Sequence, residues 1–165
     1  MTSSAEFDAG LVEMLPRLRR FAFALARDAA DADDLAAQVA ERALRSRDQW
    51  QPGTRLDSWV YRIARNLWID EVRARTRRAK VEMPPESGEL VGHDPRAGTD
   101  AAIDLQRVMA AMGQLPDEQR EVVALILVEG LGYRETAELL GLPIGTVSSR
   151  LVRGRTALLA LLGED

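Results

Sequence analysis

Apolar residues recur at steps of three and four positions along most of the 165-residue chain, the pattern of helices with one buried face. The first such stretch carries Leu11, Leu15, Leu18, Ala22 and Leu25. Pro16 lies inside it and predicts that a helix starts or kinks at that point. No segment alternates polar and apolar residues as strands do, so the pattern predicts an all-α protein.

Two further helices are expected before residue 80. Asp31 is a candidate N-cap for the second helix, which should run to about Arg47. Its buried side is expected to carry Leu35, Val39 and Leu44. A Pro-Gly pair predicts a loop over residues 48–57, after which Asp57 or Ser58 caps a third helix. The apolar positions of that third helix are Trp59, Ile63, Leu67 and Val72.

The C-terminal part of the chain is also predicted to be helical. Helices are expected, in order, over residues 100–112, 116–130, 134–140 and 144–162. Gly113 and Gly141 are placed to end the first and the third of them, since glycine commonly ends helices. Pro116 suits the first turn of the second.

Residues 81–100 separate the two helical parts. This stretch contains three Pro, three Gly and five acidic residues against one Arg, and it shows no apolar periodicity. Such a composition predicts a flexible linker. The sequence is therefore expected to form two small helical domains, over residues 1–80 and 101–165.

The formal net charge of −4 argues at first sight against a nucleic-acid partner. The charge is unevenly distributed, however: residues 1–80 hold 15 basic and 12 acidic side chains and are net +3, the linker is net −4 and residues 101–165 are net −3. All the basic residues except Lys80 are arginine, whose planar group can donate two hydrogen bonds to one phosphate or base edge. The acidity therefore predicts conditional nucleic-acid binding and does not exclude it.

Several classes of site are disfavoured by composition. Cys is absent and His93, in the linker, is the only histidine, so we expect no disulfide, no metal, no cofactor and no catalytic residues. The longest apolar run, over residues 122–128, is far shorter than the ~20 residues that span a bilayer. The first ten residues also lack the basic start of a secretory signal, and we expect a cytoplasmic protein without membrane insertion.

The spacing in residues 136–151 is typical of a helix-turn-helix. Ala137 is small where two helices would cross, Gly141 suits the turn, and Val147 would anchor the second helix. That helix would present short hydroxyls and arginines to a DNA groove or backbone. It would expose Ser148, Ser149, Val152 and Arg153 on one side, with Arg150 and Arg155 nearby and Thr146 at its start. The alternative is an ordinary helical hairpin whose polar residues face water.

Aromatic and basic residues are concentrated around the third helix. Trp50, Trp59, Tyr61 and Trp68 surround one loop and the helix that follows it. Within residues 71–80, Glu71 is the only acidic residue and five residues are basic: Arg73, Arg75, Arg77, Arg78 and Lys80. Aromatic faces beside arginines suit the unstacked bases of a single strand. Cations that complement the helix dipole, and tryptophans buried in the core, are the alternatives.

These motifs together resemble the extracytoplasmic-function (ECF) sigma factors, the small bacterial promoter-specificity subunits of RNA polymerase. DADDLAAQV and WQPGTRLDSWVYRIARNLWIDEVR, over residues 31–39 and 50–73, are similar to sigma region 2. LPDEQREVVALILVEGLGYRETAELLGLPIGTVSSRLVRGRTAL, over residues 115–158, is similar to sigma region 4. The QPGT loop also has features of the general stress-response subgroup.

The resemblance implies roles for residues of both domains. Asp34, Leu35 and Gln38 would bind the clamp helices of the polymerase β′ subunit, although family members more often read D-L-V-Q-E where this chain has Ala36, Ala37 and Gln38. The melted minus-10 element would contact Trp50, Trp59, Arg62, Asn66, Arg73 and Arg77. The minus-35 duplex would contact Tyr133, Thr146, Ser148, Ser149, Arg150, Val152 and Arg153. The outer face of region 4 would meet the β-flap, and an anti-sigma factor is expected to hold the free protein inactive.

Two other functions fit parts of the pattern. A plain helix-turn-helix regulator would bind duplex DNA without polymerase and would need a surface for dimerisation. A helical scaffold that sequesters partner proteins would tolerate loss of Ser148 and Arg153. An enzyme fits least, since His93 stands alone between a glycine and an aspartate.

Overall fold

The computed structural model describes residues 2–81 and 100–164. Every regular element within these two ranges is a helix, which confirms the predicted all-α class. The chain divides into two compact units, Met1–Val91 and Gly92–Asp165. The predicted linker, apart from its two end residues, and His93 within it lie outside the described residues.

In the first unit, residues 2–81 form three long helices and one short turn of 3-10 helix. Helices α1, α2 and α3 run over Thr2–Ala26, Ala29–Arg45 and Leu56–Ala79, and the 3-10 turn covers Arg47–Gln49. Each long helix packs against the other two. Their shared core includes Phe7, Leu11, Leu18, Phe21, Val39, Val60 and Tyr61.

Pro16 does not start a helix, contrary to one form of the prediction. Helix α1 is continuous from Thr2 to Ala26 and contains Pro16, which is exposed. Met14 and Leu18, two positions before and after it, are buried in the core. A proline inside a helix costs about 3 kcal/mol, and burial of two large apolar side chains, at about 1.5–3 kcal/mol each, offsets it.

The predicted start of α2 is wrong by one turn. Asp28, not Asp31, is the N-cap, and its carboxylate accepts a hydrogen bond from the backbone N–H of Asp31 at 2.9 Å. Leu35 and Val39 are buried as expected, but Leu44 is 41% exposed and Ala43 takes the core position. Four aspartates lie at or near the start of the helix, at positions 28, 31, 33 and 34, and sequence alone does not distinguish which of them caps it.

The predicted cap of α3 is also wrong. The helix begins at Leu56, one residue before Asp57, and the N-cap position is held by Arg55 without a side-chain hydrogen bond to the helix. Its most buried residues are Val60, Tyr61 and Ala64. The predicted apolar positions are only half-buried at Trp59, Ile63 and Leu67, and Val72 is exposed.

The described part of the second unit contains four α-helices. They are α4 (Asp100–Gly113), α5 (Asp117–Val123), α6 (Tyr133–Leu140) and α7 (Ile144–Leu162), and a π-helical turn over Ala124–Val128 extends α5. All four predicted helices are present, but α6 starts one residue early, and the helix expected over residues 116–130 begins at Asp117 and ends at Val128. Helix α7 packs against α4, α5 and α6, and the core includes Met112, Leu115, Val122, Val123, Leu125, Val147, Leu151 and Leu158.

Gly154 allows α7 to approach α5 closely. A Cβ atom at this position would lie 2.7 Å from Cγ2 of Val123 and 3.2 Å from Cβ of Gln119, and therefore inside normal contact distance. The close packing of the two helices, and not the backbone conformation, requires glycine here.

None of the described helices is both long and apolar enough to span a bilayer.

Candidate nucleic-acid interface

Helices α6 and α7 form the predicted helix-turn-helix. Gly141 ends α6 in the left-handed conformation, with φ 66° and ψ 38°, and the N–H of Leu142 donates to the carbonyl of Ala137 at 3.0 Å. Ala137 is buried at the crossing, and Val147 is fully buried where it anchors α7. The three positions on which the prediction depended therefore have the expected environments.

The predicted minus-35 residues lie mainly on one face of α7. Thr146, Ser149, Arg150 and Arg153 follow steps of three and four residues, which places them on one side of the helix. Ser149 and Arg153 are exposed, as is Val152 beside them, whereas Thr146 and Arg150 are half-buried. The hydroxyl of Ser149 donates to the carbonyl of Gly145 at 3.0 Å, and this bond orients the side chain.

The remaining predicted residues of this unit differ in exposure. Ser148 is half-buried beside the exposed face. Tyr133, the first residue of α6, is 47% exposed. Arg150 forms an ion pair with Glu118 of α5 at 3.7 Å, and its side chain is 21% exposed. Arg150 is therefore held against α5 more closely than Arg153, which is exposed.

Four predicted minus-10 residues lie on a single exposed face of α3. They are Arg62, Asn66, Arg73 and Arg77, and each is exposed. Their spacings of four, seven and four residues place them on the same side of an α-helix. Lys80, three residues further on, continues the row. We call these five residues the α3 row.

The other two cations at the end of α3 are engaged within the protein. Arg75 donates to both carboxylate oxygens of Asp31 at 2.9 Å and to Glu71 at 2.8 Å, and its guanidinium lies 5.4 Å from the ring of Trp68. Arg78 lies 3.3 Å from Glu71. By contrast, Arg73, Arg77 and Lys80 make no ion pair with any other residue that the structure describes.

These contacts change the proton affinities of the groups involved. Hydrogen bonds from Arg75 lower the pKa of Asp31 and of Glu71, in both cases against the opposing effect of burial. The hydrogen bonds that Arg75 donates to these two carboxylates raise the pKa of Arg75. The sequence pattern placed only Glu71 beside the cations and missed Asp31, which α2 supplies.

The expectation of an exposed aromatic cluster is wrong for two of its members. Trp50 is only 8% exposed, and its ring centroid lies 5.7 Å from that of Phe7. Tyr61 is fully buried against Phe21 at 4.9 Å. Trp59 is half-buried and meets Phe7 edge-on at 5.9 Å. Trp50 is thus a core residue in this structure and does not present its ring to solvent.

The predicted polymerase-binding residues on α2 also differ in exposure. Asp34 and Gln38, one turn apart, are both exposed, whereas Leu35 is 4% exposed and packs in the core. Leu35 therefore stabilises the helix and does not belong to the surface to which the prediction assigned it. The neighbouring Asp33 is paired with Arg19 of α1 at 2.9 Å.

The carboxylate of Asp57 is the centre of a group of hydrogen bonds, whereas the sequence predicted Asp57 only as a candidate cap of α3. Its carboxylate accepts hydrogen bonds from Arg55 at 2.8 Å, from Arg17 of α1 at 3.3 Å and from the backbone N–H of Ser58 at 2.8 Å. Burial acts to raise the pKa of Asp57, but these hydrogen bonds outweigh it and the pKa is lowered. No periodicity connects Arg17 with Asp57, which lies 40 residues further along the chain.

The described residues contain no group of three or more His, Asp or Glu side chains arranged to hold a metal ion. The arrangement instead comprises an exposed basic row on α3 and an exposed hydroxyl-and-arginine face on α7, in two separate units. Both are surfaces suited to nucleic acid, the first to a backbone and the second to a groove.

Comparison with known proteins identifies the family. Residues 11–78 match the model of sigma-70 region 2, and residues 105–158 match that of sigma-70 region 4. The ECF RNA polymerase sigma factor EcfG of Rhodopseudomonas palustris is 34% identical over 155 residues, which cover 94% of this chain and 84% of that protein. SigM of Mycobacterium tuberculosis, also an ECF sigma factor, is 36% identical, with 89% of this chain and 72% of SigM covered.

A solved structure agrees with these matches. The sigma factor RpoE from Bartonella quintana, crystallised in complex with the anti-sigma factor NepR, is 31% identical and has a TM-score of 0.87. The match covers 97% of this chain and 98% of RpoE. The chain belongs to the ECF RNA polymerase sigma factors.

Proposed function

We propose that this protein is an alternative sigma factor that binds core RNA polymerase and directs it to promoters through two separate DNA contacts. The observation that carries the proposal is that one chain holds two exposed surfaces inside matched sigma regions. The α3 row, except Lys80, lies within the match to region 2, and the α7 face lies within the match to region 4. The proposed domain boundaries follow the change in composition at the linker. Region 2 covers residues 1–80, the linker covers 81–100 and region 4 covers 101–165.

Region 4 would read the minus-35 element as duplex DNA. The exposed face of α7 supplies arginine for guanine or phosphate, and the methyl groups of Val152 for contact with a base edge. Ser149 and Thr146 are short enough to let the helix approach the groove. Tyr133, at the start of α6, would lie nearer the phosphates.

Region 2 would hold the melted minus-10 element. The α3 row provides cations along one exposed line, which suits the phosphates of a strand. Of the α3 row, Arg62 and Asn66 lie closest in sequence to the loop over residues 51–55, and a flipped base would be captured at this loop. Capture of an extruded base offsets an unstacking cost of a few kcal/mol.

Protein partners would use the other exposed surfaces. Asp34 and Gln38 on α2 would contact the β′ clamp helices, and region 4 would meet the β-flap. By analogy with the RpoE–NepR complex, an anti-sigma factor would occupy these surfaces in the free protein. The chain would act in the cytoplasm, where the polymerase is, and would make or break no bond itself, so it would not be an enzyme.

Transcription reconstituted with purified core polymerase tests the proposal. The wild-type chain should form a holoenzyme and start transcription at a cognate promoter. Asn66→Ala and Arg153→Ala should each reduce initiation, whereas Arg107→Ala, which removes an exposed arginine on α4, should not. Failure to form a holoenzyme would refute the proposal. Specific duplex binding by the chain alone would favour a plain regulator, and silent Asn66 and Arg153 variants would favour a scaffold.

A further inference from the structure

The first half of α1 contacts both ends of the loop that precedes α3. The loop residues, 51–55, are all exposed, and their internal bonds are local, such as the 2.6 Å hydrogen bond from the Thr54 hydroxyl to the Gln51 carbonyl. None of these five residues is therefore buried in the core. The loop is joined to the core through the residues at its two ends.

Phe7 of α1 touches both ends at once. Its side chain is 2% exposed, and its ring lies 5.7 Å from Trp50, immediately before the loop, and 5.9 Å from Trp59, in the first turn of α3. The guanidinium of Arg47 lies 5.9 Å from the same ring. Aromatic pairs at these separations add stabilisation beyond the area they bury and have preferred geometries. Phe7 thus fixes the separation between the two ends of the loop.

Arg17, near the middle of α1, holds the C-terminal end of the loop through an ion pair. Its 3.3 Å bond to Asp57 joins α1 to the same carboxylate that binds Arg55, the last loop residue. The side chain of Asp57 is only 14% exposed. Between Phe7 and Arg17, Gly10 brings α1 close to α3, since a Cβ atom there would lie 2.8 Å from Cδ2 of Leu56. Three positions along α1, Phe7, Gly10 and Arg17, therefore lie against residues that flank the loop.

We propose that Phe7 and Arg17 are positioning residues for base capture at the minus-10 element, because they hold the loop in the shape that a flipped base meets. The inference rests on the proposed function, since it requires that this loop receives the base. Phe7 lies ahead of residue 11, where the match to the family model begins. A recognition pocket is specific only when the residues behind it hold it rigidly.

The test measures base discrimination by holoenzyme assembled from the full-length chain. The readout is the ratio of affinities for minus-10 single strands that carry the preferred base or another base at the captured position. Phe7→Leu keeps most of the apolar volume but removes the ring contacts, and Arg17→Met keeps the length but removes the ion pair. Each should lower the ratio about fivefold or more, the size of coupling usual between residues in contact, while affinity for core polymerase changes less than about twofold.

Two controls lie on the same helix. Arg19→Met removes a more exposed ion pair, to Asp33, that does not touch the loop, and Glu6→Ala changes the exposed neighbour of Phe7. Neither should alter the ratio. Asp57→Asn should lower the ratio at least as much as Arg17→Met, because it also weakens the contact with Arg55. The double variant should lose less than the two separate effects together, since both changes remove the Arg17–Asp57 contact.

The outcomes separate the inference from its premise. An unchanged ratio in both Phe7→Leu and Arg17→Met would overturn the inference while leaving the sigma function intact. A parallel loss of polymerase affinity and base discrimination would also overturn it, because the residues would then be merely structural. A wild-type holoenzyme that shows no base preference at minus-10 would refute the proposed base capture itself.

Discussion

Two hydrogen bonds, each 2.9 Å long, join Arg75 near the end of α3 to Asp31 in the first turn of α2. The pair connects helices that are far apart in sequence, and Glu71 holds the same guanidinium from within α3 at 2.8 Å. Arg75 is therefore committed to a contact within the protein. It cannot serve a phosphate without giving up these bonds, which distinguishes it from the neighbouring cations of the α3 row.

This difference predicts unequal roles in DNA binding. Arg77→Ala should reduce the dependence of minus-10 affinity on salt by about 0.7–0.9 in log–log slope, the value for one lost phosphate contact. Arg75→Ala removes the same formal charge from the same helix but should change the slope much less. The measurement is holoenzyme binding to a single-stranded minus-10 probe at several salt concentrations. Equal slopes for the two variants would contradict this assignment.

The same pair predicts a stability effect. Arg75→Ala should lower the free energy of unfolding of the first unit by about 1 kcal/mol, because partly exposed ion pairs contribute up to about that amount. Urea unfolding followed by tryptophan fluorescence reports this unit, since the three tryptophans lie at positions 50, 59 and 68. Asp31→Ala is the matched variant, and the double variant should lose less than the sum of the two. Full additivity would show that the pair is not coupled.

The lowered pKa values predict acid sensitivity. The carboxylates of Asp31, Asp57 and Glu71 have a lower pKa in the folded chain than in the unfolded chain. Their stabilisation is therefore present at neutral pH and is lost as the pH falls below about 4, where the unfolded chain takes up protons first. In Arg75→Met the free energy of unfolding should fall less steeply over this acid range. If the wild-type protein loses most of its free energy of unfolding between about pH 8 and pH 5, the prediction that these carboxylates cause the acid sensitivity is wrong.

Close packing at Gly154 predicts a destabilising substitution in the second unit. Gly154→Ala places a methyl group 2.7 Å from Val123, and overpacking of this kind typically costs about 1–3 kcal/mol. Gly145→Ala, on the same helix, meets nothing within 4 Å and is the matched control, expected to be neutral or stabilising. Hydrogen exchange of α5 and α7 amides would measure both. Unchanged protection in Gly154→Ala would show that the helices can separate at little cost.

The exposure of Arg153 predicts a role in base discrimination. Arg153→Ala should reduce the preference for the cognate minus-35 sequence by about 1–3 kcal/mol if the side chain makes a bidentate base contact. Competition binding of holoenzyme to promoters with and without the minus-35 sequence measures this preference. The loss should be absent from minus-10 single strands. An equal loss on cognate and unrelated duplexes would assign Arg153 to the phosphate backbone instead.

The helices and their order could be predicted because apolar periodicity and glycine stops are local signals. The period over residues 144–162 predicted α7, and Gly141 marked the turn that its positive φ confirms. The same reasoning failed where the deciding partner is distant. Asp28 took the capping role assigned to Asp31, and α1 stayed continuous through Pro16 because its flanks are buried.

The sequence by itself determined the class of the fold, the two helical units, the helix-turn-helix and the residues that could contact DNA. Only the tertiary structure decided which of those residues are accessible: Trp50, Tyr61 and Leu35 are buried, while the α3 row is exposed. It also decided that Asp31 neutralises Arg75, and that α1 contacts both ends of the loop before α3. The physical reason is that periodicity reports one helix at a time, whereas burial and ion pairing depend on which helices meet.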